Sequence, residues 1–448
     1  MHIDLGRFFV EFNKLFTLYL VFPSILLLGL YFTFRLKCVQ ISKLKSSFLS
    51  IFKGDGKGEG NISHYQATAS VLAGNFGTGN ISGMAIALAT GGPGALVWMW
   101  VMVFFGAIIQ FANCFLGVKY RRCNDRGEFV GGPMYYLSKG LGLKKTAIIF
   151  SVCTIFAAFA VGDFVQVNSV ALPLQSLGIS PLISGLSIMV FVAIVVLGGV
   201  KRVAVVSSAV VPIMALLYLG AAFFVLFSFR DRVFPALELI FVSAFRPMPI
   251  VGGAVGFSVL KALATGFDRA IFATDAGTGT VPLLQSGAKT KNAVIDGVVS
   301  LLPPFLVMIV CTATALVLIV TGAYQVAGLQ STNMVTHAFR SALPGNLGLY
   351  IVLLSLALFG YTTTIAWACC LEKAVDYLFG RRLVKLFLVF YILFVPLGAL
   401  LHVNLVWVIA DITLTAMLVL NLIGVAGLSK EVIDEGRFFF SPKFQKSL

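Results

Sequence analysis

Two short segments hold most of the residues able to do chemistry, LAGNFGTGNISG at 72–83 and VGGAVGFSV at 251–259. In the first, the amides of Asn75 and Asn80 and the hydroxyl of Thr78 are interleaved with glycines. Glycine weakens a helix and frees the backbone to leave it, so amides released there can face a carboxylate and carbonyls a cation. Close helix packing is the plainer use of small residues, and GGAVG alone fits it equally well. A single carboxylate, Asp163, interrupts the otherwise uncharged stretch from Lys145 to Lys201. An enzyme would need a nucleophile, an acid–base pair or a metal cluster. Instead His2, His64, His337 and His402 are scattered, and the seven cysteines lack metal-ligand spacing.

The elements that must position these residues are membrane helices. Of the 448 residues, 59% are hydrophobic and 11% charged, where a soluble domain carries about 25% charged residues. A net charge of +15 would suit nucleic acid only if the basic residues gathered on a solvated domain, and none is present. Uncharged runs recur at the roughly 20 residues that a bilayer core requires. They predict an all-α polytopic membrane protein of about eleven spans. These cover roughly 15–35, 66–90, 95–118, 147–171, 180–198, 206–228, 249–266, 297–320, 345–370, 386–403 and 408–427. The first run is too long for a signal-peptide core and is expected to remain as an anchor.

Loop charge tests that count. With these spans, 26 of the 33 Lys and Arg residues fall on one side, Arg269 and Lys373 among them. The positive-inside rule then places the N-terminus outside and the C-terminus in the cytoplasm, in a cell membrane. Spans two and seven, the two glycine-rich ones, each open a set of five, and an odd number per set inverts the second. This predicts an N-terminal helix and linker (1–64), a first five-helix repeat (65–228), an inverted second repeat (249–427) and a cytoplasmic tail (428–448). In such transporters, paired broken helices hold substrate and ion, half-helix amides facing a carboxylate and freed carbonyls a cation.

The chain resembles the alanine or glycine:cation symporters, which share the LeuT-type fold. The resemblance runs nearly end to end. It rests on GEGNISHYQATAS, GTGNISGMAIALATGGPGALVWMW, GEFVGGPMYYL, VQVNSVA, GGVKRVA, SAFRPMPIVGGAVG, DRAIFATDAGTGTVP, CTATALVLIVTG, ALFGYTTTIAW and LEKAVDYLFG. It departs from the family pattern in having Asp275 for Glu, Ala366 for Gly and Asp163 for Asn.

The resemblance implies sodium-coupled symport of alanine or glycine by alternating access, with sodium as a co-transported ion and no cofactor. It implies a substrate pocket lined by Thr78, Gly79, Asn80, Gln166, Gly252, Gly253, Thr363 and Trp367. The implied sodium ligands are the carbonyls of Ala73, Phe76 and Phe359 with the hydroxyls of Thr362 and Thr363. Thr362, Thr363 and Thr364 also have an ordinary use, bonding their own helix. Asp163 adds a possible coupling group, so proton-coupled uptake or exchange is the alternative transport mode. A channel would also place polar backbone inside the membrane, but usually with a filter or ring repeated by symmetry.

Overall fold

The computed structural model describes residues 5–52, 58–246 and 258–441. The chain runs through α1 (Leu5–Phe16), α2 (Phe22–Arg35), α3 (Val39–Ser42), α4 (Leu44–Phe52), α5 (His64–Asn75), α6 (Ser82–Gly91) and α7 (Ala95–Lys119). A small antiparallel ladder follows, β1 (Arg122–Cys123) on β2 (Phe129–Val130). Then come α8 (Pro133–Tyr135), α9 (Lys144–Ala157), α10 (Val165–Gln175), α11 (Pro181–Val196), α12 (Gly199–Ser228) and α13 (Arg230–Phe245). The rest comprises α14 (Val259–Thr274), α15 (Thr280–Gln285), α16 (Ala293–Val299), α17 (Leu302–Val320), α18 (Ser331–Ala342), α19 (Leu347–Phe379), α20 (Arg381–Leu400), α21 (Val403–Gly427) and α22 (Ser429–Phe439).

Among the described residues, eight helices are long and apolar enough to cross a membrane. Two shorter apolar helices, Ser82–Gly91 and Pro181–Val196, accompany them. The outer face has the polarity expected in lipid. On α12, Leu216, Phe223 and Phe227 are exposed while Tyr218, Ala222 and Val225 on the same helix are buried. A helix apolar all round fits between a protein core and hydrocarbon.

At the centre, α19 packs against α5, α10, α12 and α20, while α7 packs against α2, α14 and α16. Several of these contacts need the absence of a side chain. A Cβ on Gly266 would lie 2.4 Å from the Ala95 carbonyl oxygen and 2.8 Å from Trp98 Cβ, so α14 meets α7 through bare backbone. A Cβ on Gly162 would lie 2.2 Å from Trp367 Cβ.

Three departures from the sequence-based expectation concern the site. The break expected at 251–259, with Gly252 and Gly253, lies outside the described residues but for 258 and 259, which open α14. That helix runs past the expected end of span seven to Thr274, and a break follows at 275–279. Arg269, counted among the basic loop residues, is instead buried within α14. Lys373, counted likewise, is buried within α19.

Gly266→Val forces α14 away from α7, and overpacking of this kind costs about 1–3 kcal/mol. The variant is expected to melt well below the native chain in detergent. Gly220→Ala, where the added Cβ meets nothing within 4 Å, is expected to leave the melting temperature unchanged.

Candidate functional site

The sequence 72–83 folds as expected of a broken helix. A capping box, Ser63 with Gln66, starts α5, and the helix ends at Asn75. Gly77 is extended (ψ 178°), a short 3-10 turn covers Thr78–Asn80, and α6 resumes at Ser82. The released polar groups find new partners. Asn80 Nδ2 donates to the Asn75 carbonyl at 2.8 Å, and the Ser82 hydroxyl donates to the Thr78 carbonyl at 2.7 Å.

A second break faces the first. After α14, Asp275 is left-handed (φ 51°), as are Gly277 and Gly279 (both φ 88°). These conformations favour glycine and, less strongly, Asp or Asn, which accounts for the DAGTG sequence there. Asn75 Nδ2 donates to the Thr274 carbonyl at 2.8 Å, joining the two breaks directly. The side chain of Asp275 is buried.

Two further helices close on this junction. From α10, Gln166 Oε1 accepts from both the amide and the hydroxyl of Thr78, each at 2.9 Å. Its Nε2 donates to the Val161 carbonyl at 2.8 Å. From α19, the Thr363 hydroxyl donates to the Ala73 carbonyl at 2.9 Å. A Cβ on Gly77 would lie 3.0 Å from both Gln166 Oε1 and Thr363 Oγ1, so this glycine sits between them. Thr363 is the one member of the triplet whose hydroxyl bonds the broken helix, while that of Thr362 also donates to Met214 Sδ on α12 at 3.4 Å. Thr362 donates to Leu358 and Phe359 carbonyls and Thr364 to that of Gly360, all on α19.

The structure therefore brings together Ala73, Phe76, Thr78, Gly79, Asn80, Gln166, Phe359, Thr362 and Thr363. The Phe76 and Phe359 rings lie 6.1 Å apart. Trp367 is fully buried one turn further along α19, with its Cβ against Gly162. Ala366 faces Gly74, whose Cβ would stand 3.7 Å from the Ala366 methyl.

Asp163 occupies a π-helical segment, Ala158–Phe164, set between α9 and α10. Such bulges free backbone groups and recur at functional sites. The side chain is fully buried, and neither carboxylate oxygen has a hydrogen-bond partner among the described residues.

Sequence reasoning missed the groups that flank the breaks. The Phe272 ring lies on Gly79, where a Cβ would meet it at 2.5 Å, and packs tilted against Trp407 with ring centroids 4.6 Å apart. The Arg269 guanidinium sits 4.7 Å over the Trp407 ring and pairs with Asp411. Beyond the second break, Arg121 donates to the Ser286 carbonyl at 3.1 Å, the Ala288 carbonyl at 3.0 Å and the Glu59 carbonyl at 2.8 Å. Lys373 Nζ donates to the Leu283 carbonyl. Two cations thus hold the C-terminal end of α15, where helix carbonyls concentrate negative potential. The available signal was charge inside apolar sequence: Arg269, Asp411 and Lys373 all lie within helices.

Two broken helices joined at their breaks, inside a bundle with an apolar exterior, define the class: a multi-pass membrane transporter. The comparisons agree. The chain matches the sodium:alanine symporter family over residues 4–446. It is 40% identical over 424 residues to an uncharacterized transporter of Haemophilus influenzae, covering 93% of each chain. It is 38% identical over 422 residues to the sodium/alanine symporter AgcS of Methanococcus maripaludis, covering 92% of each. In fold it is similar to a substrate-bound, outward-open Na+-coupled sialic acid symporter (TM-score 0.55, 12% identity, 82% of this chain and 80% of that one). The chain belongs to the sodium:alanine symporter family, a family of transporters and not of enzymes. Cation-coupled amino-acid symport is the activity class that this membership carries.

Breaking a buried ion pair by removing one partner typically costs about 3–5 kcal/mol, whereas removing both costs less. Arg269→Gln and Asp411→Asn are each expected to lower the melting temperature, and the double variant is expected to recover part of the loss. Strictly additive losses would contradict the pairing.

Proposed function

We propose that the chain carries a small neutral amino acid, alanine or glycine, together with sodium by alternating access. The observation that carries this reading is the junction itself. Asn75 ties one helix break to the other, and the Thr363 hydroxyl reaches the Ala73 carbonyl across it. Thr78, Gly79, Asn80 and Gln166 line the substrate side. The amides at the start of α6 and the Thr78 hydroxyl suit a carboxylate, since a helix N-terminus favours negative charge. Gln166, having donor and acceptor, can hold either charged group of the zwitterion. Trp367 and Ala366 bound the space and favour a small side chain. Gly252 and Gly253, which the resemblance also assigns to the pocket, lie outside the described residues.

Sodium, a hard cation, takes the carbonyls of Ala73, Phe76 and Phe359 with the hydroxyls of Thr362 and Thr363. In the geometry described, the Thr363 hydroxyl donates to the Ala73 carbonyl, and on sodium binding it would turn its oxygen to the ion. The breaks support two inverted sets of five spans. One comprises α5/α6, α7, α9/α10, α11 and α12; the other comprises α14/α15, α16/α17, α19, α20 and α21. The span of α1 and α2 precedes both, giving eleven. The Lys and Arg asymmetry supports an external N-terminus and a cytoplasmic C-terminus. On that orientation the Arg121 and Lys373 clamp lies on the cytoplasmic side of the site.

Labelled alanine and glycine uptake into liposomes tests the reading directly. Uptake is expected to require an inward sodium gradient, and uptake indifferent to it contradicts sodium coupling. Thr363→Val keeps the shape and removes the oxygen. It is expected to raise the sodium concentration for half-maximal uptake about ten-fold, the order expected for losing a bond to a charged group.

Asp163 supplies a second coupling element. An ionised Asp inside a membrane helix costs about 2.5–3.5 kcal/mol on insertion scales, and burial without partners calls for a proton or a cation at the carboxylate. Proton-coupled transport through Asp163 is the alternative mode that this observation favours. Asp163→Asn removes the charge at nearly constant volume and is expected to change the sodium or the pH dependence of uptake. A variant unchanged in both leaves Asp163 as a packing residue.

A further inference from the structure

Along the outer edge of the bundle, between the N-terminal span Glu11–Arg35 and α21, runs a groove of about 470 Å³. Leu20, Leu27 and Tyr31 line it on one side, and Leu422, Ile423 and Ala426 on the other. From Leu20 to Tyr31 the groove extends about 16 Å at the helical rise. That is about half of a ~30 Å bilayer core, the depth of a single leaflet. Leu27, Ile423 and Tyr31 are 68%, 45% and 42% exposed, so no described residue covers the trough.

One end of this apolar trough is basic. The Arg35 guanidinium lies 5.8 Å over the Tyr31 ring that lines the groove. Arg437 of α22 donates through Nε to the Arg35 carbonyl at 2.9 Å, bringing a second guanidinium to the same helix end. Both arginines are exposed, and neither is in an ion pair among the described residues. Of the acids of α22, Glu431 and Glu435 are engaged by Lys119, and Asp434, one turn before Arg437, is exposed and forms no ion pair with either arginine among the described residues. A single-leaflet apolar trough ending under two free guanidiniums is complementary to one class of molecule, which has an acyl chain and a phosphate head without a balancing cation.

We propose that this groove is a binding site for an anionic glycerophospholipid. One acyl chain lies between the N-terminal span and α21, and the phosphate is held by Arg35 and Arg437. Arginine suits this use because its planar fork bonds phosphate oxygens in pairs. The site depends on the chain's crossing a bilayer and not on its cargo, so it stands or falls separately from the transport reading.

Native mass spectrometry of the full chain in detergent, titrated with palmitoyl-oleoyl phosphatidylglycerol or phosphatidylcholine, tests it. The native chain is expected to retain phosphatidylglycerol preferentially. Arg35→Gln with Arg437→Gln is expected to weaken that adduct by roughly five-fold per arginine, with phosphatidylcholine unaffected. Ala426→Trp fills the trough and is expected to remove the tight adduct of both lipids. Ser24→Phe fills it from the opposite wall, so the result does not hang on one bulky variant, and melting temperatures confirm that each variant is folded. Equal retention of the two lipids by the native chain overturns the proposal. So does a double arginine variant that keeps the preference. A Leu27→Cys variant that forms a disulfide between two copies in native membranes also overturns it, because the groove would then be an interface between chains.

Discussion

A broken helix inside a bilayer has no water to satisfy its released backbone groups, and each such group left bare costs several kcal/mol. That constraint organises the centre of this protein. The break after Asn75 survives because Asn80, Ser82, Gln166 and Thr363 supply the bonds that the helix gives up. The break at 275–279 sits against it through the Asn75 amide. The same few side chains therefore hold the fold together and line the proposed site. Individual interhelical hydrogen bonds in membranes are weak, averaging about 0.6 kcal/mol. A junction made of several such bonds is specific in geometry yet inexpensive to rearrange, as the alternating access proposed above requires.

Charge brackets this junction. Before the second break, Arg269 pairs with Asp411 and lies over Trp407, whose ring meets the Phe272 that covers Gly79. After it, Arg121 and Lys373 hold the end of α15, and Arg121 also reaches Glu59 in the lead-in to α5. Glu59 and Ile62 pair with Thr290 and Ala288 through isolated β-bridges, so the segment that opens α5 is laced to the segment that follows α15. Each broken helix is thereby fastened at its far end by backbone and cation contacts that involve no site residue. Movement of one half-helix must carry these fastenings with it or release them.

Glycine serves two separate purposes here. At Gly277 and Gly279 it allows the positive φ that the DAGTG turn between α14 and α15 adopts. At Gly266, Gly162 and Gly79 the backbone is ordinary, and the requirement is for nothing beyond Cα, because Ala95, Trp98, Trp367 and Phe272 occupy the space. The sequence pattern is the same in both cases, a glycine among small residues, and only the neighbours separate them.

Much was legible in the chain alone. The helical membrane class follows from uncharged runs at bilayer length, and the break at 75–80 follows from amides, a hydroxyl and glycines crowded into a membrane span. Both are local consequences of composition, decided within about twenty residues, and local chemistry is what a sequence records. The rest depended on partners hundreds of residues away. Thr362, Thr363 and Thr364 are chemically alike, yet only the packing of α19 on α5 turned Thr363 toward the Ala73 carbonyl, while Thr364 bonds its own helix and Thr362 divides its hydroxyl between its own helix and Met214 of α12. Arg269 and Lys373 read as loop cations because charge usually ends a membrane span. Burial became affordable only where Asp411 and the end of α15 lay opposite. The break expected at 251–259 lies almost wholly outside the described residues, whereas the one at 275–279, where the Thr274 carbonyl takes the Asn75 amide, was not read from the sequence. Which glycine bends, which hydroxyl crosses and which charge is buried are decided by what stands opposite each residue, and that is fixed only when the helices pack.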